Sequence, residues 1–165
     1  MQRTKLYRRI SRLRRGTTLV ETAIVLPVFL AFVLGLVELG HAYMVTNVMR
    51  AACREAARLG SVSGTTSAQV KQKALDMMGS ACKSNLVTVY VKDASTFDQA
   101  GTPPQTGTQL EAMPDIDLTT AKPLQLYMVR AKVNYNQIAI VPNIPILGKF
   151  LNNVVIQGQA FTRHE

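Results

Sequence analysis

The sequence is poor in the residues that most active sites are built from. It has no tryptophan, and aromatic residues make up 6% of its 165 positions, so there is little to stack on bases. No helix-turn-helix or zinc-finger pattern is present. Only two histidines occur, His41 and His164, which leaves a Ser-His-Asp triad or a histidine-paired zinc site almost nothing to draw on. The two cysteines, Cys53 and Cys82, form no Cys-x-x-Cys pair and are too sparse for a metal site. No glycine-rich phosphate loop links a strand to a helix. These absences argue against an enzyme, a metal, a cofactor and a nucleic-acid partner.

Acidic residues are missing from the first twenty positions, where Arg3, Lys5, Arg8, Arg9, Arg12, Arg14 and Arg15 gather. These seven bases account for most of the net charge of +9, and the chain after residue 16 carries +2. The basicity therefore belongs to a short N-terminal segment. Charge is next missing from Thr22 to Val37. Residues 17–37 span about 31 Å as a helix, the hydrocarbon thickness of a bilayer. This predicts one membrane-spanning helix, with lipid as a partner and residues 1–16 as a basic leader. Lysine and arginine hold their flank in the cytoplasm, so the C-terminal part is expected on the opposite side of the membrane.

One carboxylate interrupts the apolar stretch. Glu21 in hydrocarbon costs on the order of 3 kcal/mol, so a functional reason is expected for it; the ordinary alternative is an acid that snorkels to the headgroups. Ala23, Pro27, Ala31 and Gly35 recur every four residues as a stripe where a second helix can approach. Pro27 predicts a bend.

The helix is expected to continue beyond the bilayer, since Glu38 to Leu59 contains no proline. At 100° per residue, Val45, Val48, Met49, Ala52, Ala56 and Leu59 share one face with Cys53 at its edge, opposite Arg50, Arg54 and Arg58. Residues 17–59 thus form one long helix, transmembrane over 17–37 and amphipathic over 38–59. Gly60 stands where a C-cap wants a permissive residue.

Residues 60–165 read as an exterior α+β domain. Ser67 is placed to cap a short helix over 68–78. Strands are expected near 86–92, 124–136 and 153–163, forming a small antiparallel sheet. The apolar phase of the second strand shifts by one residue, which suggests a bulge near Met128, and Gly158 marks a point of close helix approach in the third. Between the first two strands, residues 93–123 read as a flexible loop holding Asp93, Asp98, Glu111, Asp115 and Asp117. It is either a solvated insertion, a partner-binding surface or a calcium ligand set, though Asp115-x-Asp117 alone is a weak calcium signal. Val141 to Gly148 is an apolar, proline-bearing loop. On the far side of the membrane Cys53 and Cys82 can form a disulfide, worth about 3–4 kcal/mol in the chain-entropy account, or remain two buried free thiols.

Gly16 followed by Glu21 five residues on, after a basic leader, resembles the processing site of class III prepilins. Arg14-Arg15-Gly16 through Glu21, Leu26-Pro27, Glu38-Leu39-Gly40 and Ala51 to Arg58 together resemble the TadE-like family, the minor pilins or pseudopilins of the tight adherence (Tad, or Flp) pilus system. The resemblance implies a pilin-like α+β fold and cleavage by a membrane prepilin peptidase between Gly16 and Thr17. It also implies that Glu21 sets register by meeting the free N-terminal amine of a neighbouring subunit. The implied partners are other Tad pilins and pseudopilins, the inner-membrane assembly platform and its ATPase. Thr22 after Glu21, and a mature chain of 149 residues, depart from the short major pilin and fit the minor class. Two readings compete. One is an uncleaved, signal-anchored exterior binding or sensor domain; the other is secretion after signal-peptidase cleavage at Gly40-His41-Ala42.

Overall fold

The computed structural model describes residues 3–101, 103–104, 106–140 and 154–165, with side chains from residue 17 onward. Helix α1 runs Arg3–Gly60, and α2 Ser67–Met78. Strand β1 (Thr88–Asp93), the short helix α3 (Gly107–Glu111), β2 (Leu126–Asn134) and β3 (Val155–Arg163) follow. The architecture is α+β, with a long N-terminal helix and a three-stranded antiparallel sheet ordered β1-β2-β3. The chain divides into two compact units, Met1–Leu39 and Gly40–Glu165. The proline-bearing loop read over Val141 to Gly148 lies outside the described residues.

The first unit is helix throughout its described backbone, and Pro27 sits inside it without ending it. The helix also continues back through the basic segment to Arg3.

In the second unit, the helix face that meets the sheet is Val45, Met49, Ala52, Cys53, Ala56 and Ala57. This corrects the sequence reading at one edge. Leu59 is exposed, while Cys53 and Ala57 point inward. The buried stripe is centred on positions 49, 53, 56 and 60, because Gly60 is the residue against which Tyr127, Val70 and Leu118 close. A Cβ built on Gly60 would lie 2.6 Å from the Tyr127 hydroxyl. Glycine is needed there for close approach, not for a left-handed cap. Gly79, at the end of α2, likewise has an ordinary helical φ of −58°. Arg50, Arg54 and Arg58 are exposed as expected, and Arg58 pairs with Glu55 at 3.5 Å.

Helix α2 is capped by Thr66, one residue before the expected Ser67. Thr66 and Gln69 form a reciprocal capping box, which satisfies two otherwise orphaned amides. Ser67 instead ties two segments together: its hydroxyl donates to the Ile116 carbonyl at 2.8 Å and accepts from the Leu118 amide at 3.1 Å.

Strand β2 has no bulge. Its register is unbroken on both sides, from Tyr127 opposite Asp93 to Lys132 opposite Thr88, and from Leu126 opposite Arg163 to Asn134 opposite Val155. The phase shift has another cause, since both faces of the strand are covered. Tyr127, Val129, Ala131 and Val133 face the main core with α1 and α2. Met128 lies on the other face under Ala94, Leu110 and Met113.

That cover comes from the described residues of 93–123, several of which pack on the sheet where the sequence suggested a flexible loop. Lys92 bridges to Asp115, the Asp93 amide donates to the Pro114 carbonyl at 2.9 Å, and α3 has its own capping box from Thr106 and Gln109. Arg163 makes a two-pronged pair with Asp98 at 2.8 and 3.1 Å. Ile116 and Leu118 reach the main core. The signal for this layer was its scattered apolar residues, which have neither helical nor strand period and gain meaning only once the sheet beneath them exists.

Gly158 behaves as its sequence position implied. A Cβ there would lie 2.7 Å from the Met49 carbonyl carbon and 2.8 Å from the Arg50 amide, so helix and strand backbones touch. Gly158→Ala is expected to destabilise the protein by about 1–3 kcal/mol through forced separation of the two elements. Chemical denaturation of the variant beside the parent measures this; an unchanged midpoint would refute the contact.

Candidate processing and assembly segment

Gly16 and Thr17 are neighbours in α1, and Glu21 follows Thr17 by about one turn. Thr17 to Val20 are exposed, as is Glu21, and Thr22 donates its hydroxyl to the Thr18 carbonyl at 2.9 Å. Beside Glu21 runs a shallow groove lined by Thr22, Val25, Leu26 and Phe29. Glu21 is therefore a single acid at the edge of an apolar surface, with no further ionisable side chain until Glu38.

The surroundings of that acid are unusual for a helix in water. Large apolar side chains are exposed on every side, among them Leu19, Ile24, Val28, Phe32 and Leu36. An 18-residue window of α1 reaches a mean hydropathy of 2.4 with none of it buried, making this the one helix among the described residues long and apolar enough to cross a membrane. Each such side chain gains about 1.5–3 kcal/mol on leaving water. A bilayer or a bundle of like helices supplies the missing apolar phase.

Residues 16–58 match the TadE-like protein family. No curated protein and no solved structure matches the chain. The TadE-like match opens on Gly16 and closes on Arg58, so it contains Thr17, Glu21, the apolar stretch and the amphipathic extension of α1. It covers about a quarter of the chain and leaves α2 and the sheet outside.

Beyond the TadE-like segment, the end of α1 is closed by residues to which the sequence reading gave no such role. Tyr127 donates its hydroxyl to the Ala57 carbonyl at 2.5 Å, Thr65 donates to Leu59 at 3.1 Å, and His164 Nδ1 lies 3.1 Å from the Gly60 carbonyl. The Glu165 amide donates to Ser61 at 2.9 Å. The last carbonyls of a helix have no partners within it, and here the sheet and the C-terminal residues provide them. His164, named in the sequence only as one of two histidines, is buried in this role.

On the opposite face of the sheet Arg130 is buried. Its guanidinium donates to Gln159 at 2.8 Å and Gln157 at 2.5 Å, and lies 3.7 Å from the Glu111 carboxylate, which also receives Lys132. That hydrogen bond to Glu111 raises the Lys132 pKa. Strand alternation alone could not reveal this group, because the residue that balances Arg130 comes from α3. Asp115 is held by Lys92 at 3.0 Å and Asp117 accepts from the Thr119 amide and hydroxyl, so both carboxylates serve structure. Among the described residues no three His, Cys, Asp or Glu side chains come together as a metal site.

Cys53 and Cys82 are free, buried thiols in the one main core. The Cys53 thiol donates to the Gly158 carbonyl at 3.4 Å and that of Cys82 to Met78 at 3.7 Å. Burial pushes the Cys53 thiol up from 9.0 to about 11 and raises Cys82 as well. Between these values the unfolded chain loses the Cys53 proton and the folded one keeps it, so stability is full below pH 9 and falls as pH rises toward 11. Thiol titration at pH 8 is expected to find neither cysteine in the native protein and both after denaturation. Finding none in the denatured, unreduced protein would reveal a disulfide.

Proposed function

We propose that this chain is a structural minor pilin or pseudopilin of a Tad pilus system, with no catalytic activity of its own. The observation that carries the reading is the coincidence of the TadE-like match with an uncovered apolar helix whose one acid, Glu21, follows Gly16 by five residues. A prepilin peptidase cuts between Gly16 and Thr17 and removes the basic segment. The helix then holds the exterior domain at the outer side of the inner membrane until it is drawn into a pilus or an initiating complex with other Tad pilins, the assembly platform and its ATPase.

Charge gives this order of events its logic. The seven bases keep the N-terminal flank on the cytoplasmic side while the helix inserts, and their removal exposes a single amine at Thr17. That amine and a neighbour's Glu21 carboxylate each disfavour hydrocarbon, and together they neutralise one another. A buried pair of this kind fixes register more than it adds stability.

The N-terminus of protein extracted from a host with its own secretion machinery is expected at Thr17, read by intact-protein mass. Gly16→Leu is expected to leave the leader attached. Glu21→Ala is expected to be processed yet to leave piliation at the level of a strain lacking the chain. A start at Met1 together with normal function of Glu21→Ala would favour the uncleaved signal-anchored binding domain instead, and a start at Tyr43 would mean a secreted protein.

A further inference from the structure

Residues 94–113 leave the sheet and return to it at one place. The Asp93 amide donates to the Pro114 carbonyl and the Ala94 amide to the Leu126 carbonyl, each at 2.9 Å, so both feet of the segment are pinned beside the end of β1. Past the second foot, Ile116 and Leu118 are set in the main core. Between the feet the contacts are of another kind. Leu110 and Met113, with Phe97, join Ala94 in a small cluster on Met128, separate from the main core. The segment carries two acids, Asp98 and Glu111, and no base. Each acid faces bases of the sheet: Asp98 meets Arg163 at 2.8 Å, and Glu111 meets Arg130 and Lys132.

Arg130 is what the segment hides. A Cβ built on Gly107, the first residue of α3, would lie 2.6 Å from Nη2 of Arg130, so the backbone of the segment rests on the guanidinium. The groups that aim this side chain, however, lie outside the segment. Gln159 and Gln157 of β3 accept from Nη1 and Nη2 at 2.8 and 2.5 Å. The charge is met less well than it is aimed. Glu111 Oε1 stands 3.7 Å from Nε, beyond hydrogen-bond reach, and Nε has no hydrogen-bond partner among the described residues. The other oxygen of Glu111 takes the Lys132 ammonium. A carboxylate set closer to Arg130 would complete the bond that this divided one leaves unmade.

We propose that residues 94–113 are a hinged cover occupying, in cis, a carboxylate-binding face of the sheet, and that an acidic extended segment of a neighbouring chain displaces it to meet Arg130, Lys132 and Arg163. The partner's chemistry is read from the present occupant: carboxylates for the three bases and an apolar side chain for Met128. Lifting the cover leaves those bases on one face of β2 and β3, with Arg130 still aimed by its two glutamines. Asp115, beyond the second foot, stays with Lys92 at 3.0 Å. Arginine suits the role, because its planar fork reads a carboxylate through two parallel bonds. A tethered cover acts at an effective concentration of about millimolar. It therefore excludes weak acidic competitors and gives way to a segment that makes the missing bond. That the displacing chain is a neighbour in an assembly rests on the pilin reading; the cover and the face beneath it do not.

The test uses the full chain in detergent micelles, with a fluorescent peptide of the chain's own residues 94–113 as the probe. Removing both carboxylates of the cover, as Asp98→Asn with Glu111→Gln, is expected to tighten peptide binding by about tenfold or more over the parent, read by anisotropy. Arg130→Met added to that pair is expected to abolish the gain. Native-state hydrogen exchange gives a second reading: amides of residues 107–113 are expected to exchange about tenfold faster in the double variant, with those of β2 and β3 unchanged. Equal peptide binding by parent and double variant overturns the proposal, as does a gain that survives Arg130→Met. Exchange at 107–113 that coincides with exchange of β2 in both proteins shows a cover that opens only on global unfolding, and overturns it too. Displacement of the peptide by millimolar inorganic phosphate as readily as by unlabelled peptide assigns the face to small anions and overturns the chain partner. None of these readings involves cleavage at Gly16 or piliation, so this inference and the pilin reading fail separately.

Discussion

Helix α1 must satisfy two solvents with one backbone. From Leu19 to Val37 its large apolar side chains are exposed around the whole circumference, and from Val45 to Gly60 a single stripe is buried. The first pattern suits lipid or other helices, because no face of it is polar enough for water. The second suits a protein core on one side and water on the other, with three arginines supplying the wet face. The change falls within a few residues of Gly40, where the chain divides into its two units. Everything else depends on that division, since the sheet needs only one face of the helix and the rest of α1 is left for apolar company.

Within the second unit, backbone contact at Gly158 sets how the helix lies on the sheet. With no side chain between them, the Met49–Arg50 backbone approaches β3 directly, and Cys53 can reach the Gly158 carbonyl. Small residues at Ala52, Ala56 and Ala57 continue the close approach. The other sheet face is closed by a different principle. Arg130 is buried there, and burying a guanidinium is costly unless its charge and donors find partners; its two terminal nitrogens do so, while Nε faces the Glu111 carboxylate at 3.7 Å without a hydrogen bond. Gln157 and Gln159 come from β3 and Glu111 from α3, so covering the sheet and neutralising the arginine are one event. A layer with short helices and few apolar residues is thereby held over the sheet by specific polar contacts as much as by Leu110 and Met113.

The parts of this arrangement that were legible in the sequence are those with a local period or a singular residue. The long helix follows from its apolar run and its arginine spacing, the strands from their alternation, and the approach at Gly158 from a glycine within a strand. Glu21 stands out because it is the one charge in an uncharged stretch. What stayed hidden depends on partners distant in the chain. The phase change in β2 looked like a bulge because alternation assumes one wet face, and here Met128 and Arg130 lie under residues that come fifteen to thirty-five positions earlier. Leu59 looked buried because helical phase gives a face only to within a residue or so. Tyr127 and His164 carried no local sign of closing α1, since the carbonyls they meet belong to residues 57 and 60.

The extent of the TadE-like match has a physical explanation in the same terms. It runs from Gly16 to Arg58 and stops as α1 stops. Within it, residue identity answers to whatever apolar phase surrounds the helix, which limits the length of the apolar stretch and leaves few positions for a charge. Beyond it, the sheet and its cover answer mainly to one another. Cores of this kind accept many sequences so long as volume and pattern are kept, and a polar group such as Arg130 with Glu111 works wherever its own partners are present. A chain built this way carries a recognisable helix and a second unit free to differ. That is the division of labour expected if the helix makes a contact common to many assemblies while the second unit serves the needs of one.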